Sequence, residues 1–410
     1  MHVRQESVLK WGLYCNGLYI FFLFLFMPDG INIPNILITS ILIFSVVLIF
    51  SVCFKNRYRI KNLPKKIRIL FYLLIFWGCM IIVRSFSLSI QDWVTNFGNI
   101  YMAFAWLLPV TLILGLEIRN WNILFKTISM MFSLMILAFF LLPFFKYNEE
   151  WILLLRPVAF ILLIGVYHFR NLFRFKTYLI IVLYLAAMFL LSSRRIDQLF
   201  LVMVFFFLLL DKISSIRLKK SFLKYIFVGF ILVLTFIFTA GYEYFSNFVS
   251  LLIDFQDSRT FLFTELFADM STFEQFFGRG SLGTYYSDFF ERTRRYYEIM
   301  GRVGWAGDVP DRITTEVGYL QMVLKGGFVL LILNLLLYSY AIYAAIFKSN
   351  NKFIKRLGYY ILIVTILSIV EFRPTFTPMF IVLWMAIGTV LNKNYRQMND
   401  HEIETLIKFK

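Results

Sequence analysis

Long apolar runs alternate along this chain with short polar segments. A membrane-spanning helix needs roughly 20 mainly apolar residues, because each residue adds about 1.5 Å along the helix axis. The pattern predicts about twelve such helices, several of them short: 11–27, 33–54, 69–84, 97–116, 122–143, 151–168, 177–193, 196–210, 225–245, 316–347, 357–370 and 378–391. The predicted fold class is an all-α, polytopic integral membrane protein.

Lysine and arginine residues predict how these helices are oriented. They concentrate in four loops, 55–68, 168–176, 211–224 and 348–356. With twelve spans, all four loops and both termini fall on one side of the membrane. Loops rich in Lys and Arg stay on the cytoplasmic side, so we expect this side to be the cytoplasm.

One long extracytoplasmic loop divides the predicted organisation. Residues 1–245 hold the first nine spans, 246–315 form the loop, 316–392 hold the last three spans, and 393–410 form a cytoplasmic tail. A segment as long as 246–315 is translocated regardless of its charge. Its paired aromatic residues predict a partly helical cap over the outer membrane surface.

Composition restricts the function classes. Hydrophobic residues make up 60% of the chain, and the net charge is +17. The short loops hold most of the positive charge, which fits orientation signals and anionic headgroups of the lipid bilayer, so we expect no nucleic-acid partner. The three cysteines and three histidines are scattered without metal-ligand spacing, and we expect neither a metal nor another cofactor.

Several charged residues lie at the outer ends of the predicted spans. Charges at membrane depth are costly and are usually functional. The guanidinium group of arginine binds diphosphate oxygens in a bidentate manner, so these arginines are candidate diphosphate ligands. They are Arg84, Arg156, Arg194, Arg195 and Arg373, with the acidic residues Asp197, Glu243, Glu316 and Glu371 at the same level. The alternative is that they form structural ion pairs or extend to lipid headgroups.

Two motifs follow in the second half of the chain. The segment 278–283, Gly-Arg-Gly-Ser-Leu-Gly, predicts a turn with positive φ, or alternatively a nest of backbone N–H groups for an anion, with Arg279 as a further ligand. Glu316 opens a span from the outer side. It is a candidate general base for a sugar hydroxyl, or alternatively a carboxylate that stabilises the helix start.

These features resemble the O-antigen polymerase and ligase superfamily of bacterial envelope glycosyltransferases. The resemblance rests on Ser192-Ser193-Arg194-Arg195, the late external loop, the turn at 277–283 and the Glu-x-Gly-Tyr-Leu…Lys-Gly-Gly span after it, within about 190–345. It implies an outward cavity in the inner membrane, metal-independent transfer, a polyprenyl-diphosphate-linked oligosaccharide as substrate, and Arg194 and Arg195 as diphosphate ligands. Glu316 and Arg195 are the predicted catalytic residues.

Two departures bear on the type of enzyme. Ligases of this superfamily commonly have a histidine near the end of the long loop, where this chain has Glu316 and no histidine. This favours a repeat-unit polymerase. Some polymerases have an arginine followed by a glycine eleven residues later, a spacing absent from 246–315. A surface-polymer ligase and a lipid-linked glycan flippase remain alternatives, and a chain-length regulator as a partner stays open.

Overall fold

The computed structural model of the protein describes residues 2–26, 35–85, 89–141, 156–168, 182, 184–185, 195–215, 260–299 and 311–407. These residues are mostly helical, as the apolar pattern predicts. The α-helices are α1 (His2–Phe26), α2 (Asn35–Lys55), α3 (Lys65–Val83), α4 (Ile90–Gly98), α5 (Ala103–Trp106), α6 (Leu112–Gly115), α7 (Asn120–Leu141), α8 (Arg156–His168), α9 (Arg195–Ser215), α10 (Thr260–Asp269), α11 (Thr272–Phe277), α12 (Asp288–Ile299), α13 (Gly318–Phe347), α14 (Lys352–Leu367), α15 (Pro378–Leu391), α16 (Lys393–Gln397) and α17 (Asp400–Leu406). Two 3₁₀ helices, Arg57–Asn62 and Leu108–Thr111, and two paired strands, β1 (Tyr285–Tyr286) and β2 (Asp311–Arg312), are also present.

The chain divides into two compact units. The first comprises Met1–Val204, Met270–Tyr285 and Asp311–Lys410, and the second comprises Phe205–Asp269 and Tyr286–Pro310. Part of the predicted external loop, 270–285, therefore belongs to the first unit.

Exposed apolar faces indicate a membrane protein. Phe44 on α2, Phe76 on α3 and Leu336 on α13 are each more than half exposed, and each belongs to a row of exposed apolar side chains. Such rows are unfavourable in water and favourable against lipid. Within the described residues, three helices are long and apolar enough to cross a membrane: Leu37–Lys55, Lys65–Val83 and Gly318–Phe347. The total of twelve spans stays a prediction.

Helix α15 lies at the centre of the first unit. All of its 14 residues are buried, and it packs against α6, α8, α13 and α14. A helix that is apolar on every side is favourable where protein surrounds it. The apolar run 378–391 predicted this helix with the same bounds, whereas its central place depends on the surrounding helices.

The predicted span 97–116 is not a single helix, and the prediction is wrong there. The chain forms α5, the 3₁₀ helix Leu108–Thr111 and the single turn α6 instead. Pro109 lacks an N–H group and disrupts a regular helix. Side chains bind carbonyl groups near the end of this segment: Asn120 Nδ2 donates to Leu114 O over 2.9 Å, and Thr389 Oγ1 donates to Gly115 O over 2.7 Å. Interrupted helices are tolerated at membrane depth when neighbouring groups satisfy the backbone in this way.

The predicted span 316–347 is present as α13 but is interrupted at Gly327, where φ is 69° and ψ is −176°. By helical rise its 30 residues would measure about 45 Å, against about 24 Å for the 16 residues of α14. The two helices nevertheless meet at both ends. They are joined by a short turn at one end, and the N–H of Tyr319 donates to Ser368 O over 3.0 Å at the other. The break at Gly327 resolves this mismatch, because it lets the first turns of α13 change direction.

In the second unit, a carboxylate of α10 binds the segment at the start of α12. Glu265 accepts hydrogen bonds from Ser287 Oγ over 2.6 Å and from the N–H of Phe289 over 2.8 Å, at the start of α12. The rings of Phe261 and Phe289 stack with centroids 4.0 Å apart. An acidic group at a helix start is favourable because N–H groups there lack partners within the helix. Helices α10, α11 and α12 agree with the prediction that 246–315 is partly helical.

Candidate functional site

A polar cavity of about 160 Å³ lies in the first unit, where three of the sequence-predicted site residues meet. We call it the arginine pocket. Its lining residues are Tyr101, Arg156, Glu316, Glu371, Phe372, Arg373, Thr375, Thr377, Met379 and Phe380. They come from the segment before α5, the start of α8, the segment before α13, the connection between α14 and α15, and the first turn of α15.

Arg156 is the centre of a buried charge cluster beside this pocket. Its Nε donates to Asp197 Oδ1 over 2.6 Å and its Nη2 to Asp197 Oδ2 over 3.3 Å, which makes a bidentate pair. The same Nη2 donates to Glu371 Oε1 over 3.0 Å. Asp197 is fully buried and the side chains of Arg156 and Glu371 nearly so. Two carboxylates therefore hold one guanidinium group, which fixes Glu371 at the pocket wall.

Phe372 has an unusual backbone conformation in this wall. Its φ is 28°, in the positive region that residues other than glycine rarely adopt. Packing holds it there: the ring lies edge-on to Phe200 with centroids 5.5 Å apart, and the guanidinium of Arg156 lies 4.6 Å from its centre. Its backbone also forms an antiparallel bridge with Val317. Such strain costs on the order of 1–3 kcal/mol and is found most often at functional sites.

Arg373 lies against an aromatic ring at the other side of the pocket. Its guanidinium carbon is 3.9 Å from the ring centre of Tyr101. Nη1 donates to Thr314 Oγ1 over 3.2 Å and to Thr315 O over 3.4 Å. These contacts hold the planar group at the pocket without burying it.

Glu316 lines the pocket but does not cap α13. The N-cap residue is Val317, without a side-chain cap hydrogen bond, and the N–H of Gly318 donates to Glu371 O over 2.5 Å. The Glu316 carboxylate accepts from Arg312 Nη2 over 2.5 Å, and its side chain is 43% exposed. Backbone carbonyl groups of the connection between α14 and α15 thus accept hydrogen bonds from the first N–H groups of α13. The Glu316 carboxylate is not used for this purpose and remains accessible.

Arg84 and Arg279 lie in a different arrangement, which we call the glycine junction. It consists of residues 277–283 packed on the end of α3 and on Gly326 and Gly327 of α13. Arg84 donates to Phe277 O over 2.5 Å and to Gly278 O over 2.7 Å. Arg279 donates to Thr284 O over 2.7 Å and forms a bidentate pair with Glu274 at 3.0 and 3.1 Å.

The segment 278–283 is a turn with positive φ, as the glycines predict. Gly278 and Gly280 have φ of 73° and 85°. The alternative of an anion nest is wrong, because protein acceptors bind the backbone N–H groups. Those of Arg279, Gly280 and Ser281 donate to Leu324 O, Lys325 O and Ile81 O over 2.7, 3.0 and 3.0 Å. The fully buried Lys325 also bonds to this turn, with Nζ 2.7 Å from Gly283 O.

The hydrogen bond from Arg279 holds the pKa of Glu274 down to about 2, helped by the backbone and side chain of Ser271. Ser271 and Glu274 form a reciprocal capping box at the start of α11. The charged pair therefore closes α11 onto the turn that follows it.

The two arginines of the Ser-Ser-Arg-Arg motif are placed only in part. Arg194 lies outside the described residues, and Arg195 begins α9 with a side chain outside the description. Asp197, two residues later, belongs to the buried cluster. Their predicted role as diphosphate ligands stays a prediction.

Three polar lining residues were not predicted as site residues, namely Tyr101, Thr375 and Thr377. Tyr101 lies in an apolar run without a distinguishing signal. The threonines do have one, since they are polar residues in the segment Arg-Pro-Thr-Phe-Thr-Pro between two apolar runs. In the described part of the chain, no group of three or more His, Cys, Asp or Glu side chains could hold a metal ion.

Comparison of the chain with protein-family models, with curated proteins and with solved structures found no match.

Proposed function

We propose that this protein is a polysaccharide repeat-unit polymerase in a bacterial inner membrane. It would transfer a growing glycan from its polyprenyl diphosphate onto a new lipid-linked repeat unit at the outer face. The observation that carries the proposal is the arginine pocket, where Arg373, Glu316 and Glu371 line one cavity with Tyr101 and Arg156 from earlier parts of the chain. An arginine and a carboxylate at one cavity are the groups that such a transfer requires.

The geometry divides the roles. Arg156 is held by two carboxylates, so we assign it to positioning Glu371 and Asp197. Arg373 borders the cavity and stacks on Tyr101, so we assign it to the diphosphate. Thr375 and Thr377, whose hydroxyl oxygens lie 3.1 Å apart, can bind sugar or phosphate oxygens.

The charges around the pocket explain why further arginines are expected. Arg156, Arg312 and Arg373 balance Asp197, Glu316 and Glu371, which leaves no net positive charge among these six side chains. A diphosphate would therefore need additional cations to bind tightly. Arg194 and Arg195 are the candidates, because they precede Asp197 of the same cluster.

The proposed transfer is a single displacement. The acceptor hydroxyl oxygen attacks the anomeric carbon of the donor glycan, and the bond between that carbon and the diphosphate oxygen breaks. The hydroxyl proton goes to a carboxylate, for which Glu316 is the candidate because its side chain is partly exposed. Polyprenyl diphosphate leaves with the electron pair of the broken bond, its new charge stabilised by arginine.

The glycan profile of a strain lacking the gene tests the proposal. Single repeat units on the outer surface, restored to long chains by the wild-type gene and not by an Arg195→Ala variant, are expected of a polymerase. Full chains that stay on the lipid carrier would instead indicate a ligase. Units retained on the cytoplasmic side would indicate a flippase.

A further inference from the structure

A second, apolar cavity adjoins the arginine pocket. It has a volume of about 650 Å³ and is lined by Thr39, Ile43, Ile90, Trp93, Val94, Phe97, Gly98 and Phe104. We call it the apolar groove. Its volume is in the range of about 300–1,000 Å³ that is usual for small-molecule sites. It lies between α2 and α4, and a single hydroxyl, that of Thr39, interrupts its apolar lining.

The groove is open along α4. Ile90 is 82% exposed, and Trp93 and Val94 are about half exposed. Helix α4 follows α3 after a short connection, so it lies on the side of the membrane where α3 ends. Thr39 lies one turn into α2. The end of α4 packs closely against it, because a Cβ added to Gly98 would be 3.0 Å from the Thr39 side chain. The groove is therefore placed near one membrane surface, where a lipid can enter it from the bilayer.

The groove and the pocket share a wall. Phe97 and Phe104 line the groove, with ring centroids 5.6 Å apart, whereas Tyr101 between them in sequence lines the pocket. The side chains of residues 375–377 are also divided between the two sides of this wall. Thr375 and Thr377 line the pocket, and the ring of Phe376 lies 6.1 Å from that of Phe104.

A hydrogen bond holds this wall together. The N–H of Phe376 donates to Ile100 O over 2.9 Å, which ties the connection before α15 to the segment before α5. A polar site and an apolar groove on two faces of one thin wall suit a molecule with a charged head and a hydrocarbon tail.

We infer that the apolar groove binds the first part of the polyprenyl chain of the lipid carrier while its diphosphate lies in the arginine pocket. This inference rests on the proposed function and adds to it where the hydrocarbon is held. The groove would select the carrier by its chain, and the pocket would select it by its diphosphate. The open side along α4 allows the remainder of the chain to stay in the bilayer.

Binding of undecaprenyl diphosphate to the full-length protein in detergent tests the inference, with phosphatidylglycerol as the comparison lipid. Val94→Trp and Ile43→Trp fill the groove from its two helices. Val47→Trp is the matched control, because Val47 is 57% exposed on α2 but does not line the groove. Each added indole ring should keep part of the polyprenyl chain out of the groove. Both groove variants should therefore weaken undecaprenyl diphosphate binding by about tenfold relative to the control, which is about the effect of leaving two methylene groups of the ligand unburied.

Equal binding by all four proteins would overturn the inference. So would an equal loss of phosphatidylglycerol binding in the groove variants, because the groove would then hold any membrane lipid. The binding result is independent of catalysis. If the groove variants lose undecaprenyl diphosphate but the deletion strain still makes full-length polymer, the proposed function fails and the lipid site stands.

Discussion

The arginine pocket and the glycine junction both contain arginines that the sequence places at helix ends, yet the two regions differ in what these side chains contact. In the junction, Arg84 and Arg279 bond to three backbone carbonyl groups and one carboxylate, all within residues 274–284. In the pocket, Arg373 stacks on Tyr101 at the edge of a cavity. The junction arginines thus bond to a turn, whereas Arg373 borders a cavity in addition to its protein contacts.

The buried cluster behind the pocket is a third arrangement. Arg156 supports the pocket without being a candidate ligand, since Asp197 and Glu371 occupy its guanidinium group. Substitution of the supporting arginine, Arg156, should therefore affect stability, whereas substitution of the pocket arginine, Arg373, should affect activity.

The largest effect is expected for Arg156→Ala. It leaves two buried carboxylates without their cation, which typically costs about 3–5 kcal/mol. Thermal unfolding in detergent measures this loss. The control is Arg292→Ala, whose ion pair with Asp288 is mostly exposed and should contribute about 0–1 kcal/mol. A melting temperature of Arg156→Ala close to that of the control would show that the cluster is not structural.

Under the proposed function, Arg373→Ala should lower the transfer rate by about 10²-fold without a comparable loss of stability, because it removes the donor proposed for the leaving diphosphate. Arg373→Lys should restore little, since lysine lacks the planar fork. Arg84→Ala is the matched control from the glycine junction and should retain most activity. The comparison between the two regions fails if the two alanine variants lose activity equally in a transfer assay with purified protein.

Glu316→Gln and Glu371→Gln compare two carboxylates of the same pocket. If Glu316 is the general base, its glutamine variant should lose about 10²-fold or more of the transfer rate. If it orients the acceptor, the loss should be milder. Glu371→Gln should mainly lower stability, because Arg156 then keeps one carboxylate partner. Wild-type activity in Glu316→Ala would exclude Glu316 from the chemistry.

Gly327→Ala tests the junction itself. The φ of 69° disfavours any side chain by about 1–2 kcal/mol, and an added Cβ would collide with Phe276 O. We expect faster proteolysis within 270–285 and a lower melting temperature. Gly17→Ala is the control, because the nearest atoms to its added Cβ belong to the flexible side chains of Met131 and Met130. Unchanged proteolysis in Gly327→Ala would mean that the turn does not depend on this contact.

The smallest effect concerns pH. The folded pKa of Glu274 is about 2, below its ordinary value of 4.5. A lowered pKa in the folded state stabilises the charged pair above pH 4.5, and this stabilisation is lost as the pH falls towards 2. Protection of residues 271–279 against hydrogen exchange, taken relative to the intrinsic exchange rate at each pH, should therefore fall over this interval in the wild type. Glu274→Gln should show no such fall, and an equal fall in both proteins would contradict the assignment.

Several parts of the fold were predictable because they depend on local sequence. The run 378–391 and helix α15 coincide, since continuous apolar residues favour a helix away from water. The positive φ at Gly278 and Gly280 follows from the freedom of glycine in turns. The break in 97–116 was missed, although Pro109 is a local signal, because hydropathy alone does not distinguish a continuous span from short helical turns.

The candidate site was predictable only as a set of residues. The sequence placed Arg84, Arg156, Arg279, Arg373 and Glu316 at helix ends or in the long loop, but it had no means of separating the junction from the pocket. That separation depends on contacts between residues far apart in the chain, such as Arg84 with Phe277 and Arg156 with Glu371. Tyr101 joined the pocket for the same reason.

The amino-acid sequence alone indicates which segments avoid water, because hydropathy is a property of neighbouring residues along the chain. It also predicted the turn at Gly278 and Gly280, although the breaks at Pro109 and Gly327 were missed. The packing of the helices places some of these arginines at a cavity and others at a turn, and it brings an apolar groove to the wall of that cavity. The physical reason is that the surroundings of a buried charge are set by helices that meet in space, and their packing is not encoded in the period or composition of any one segment.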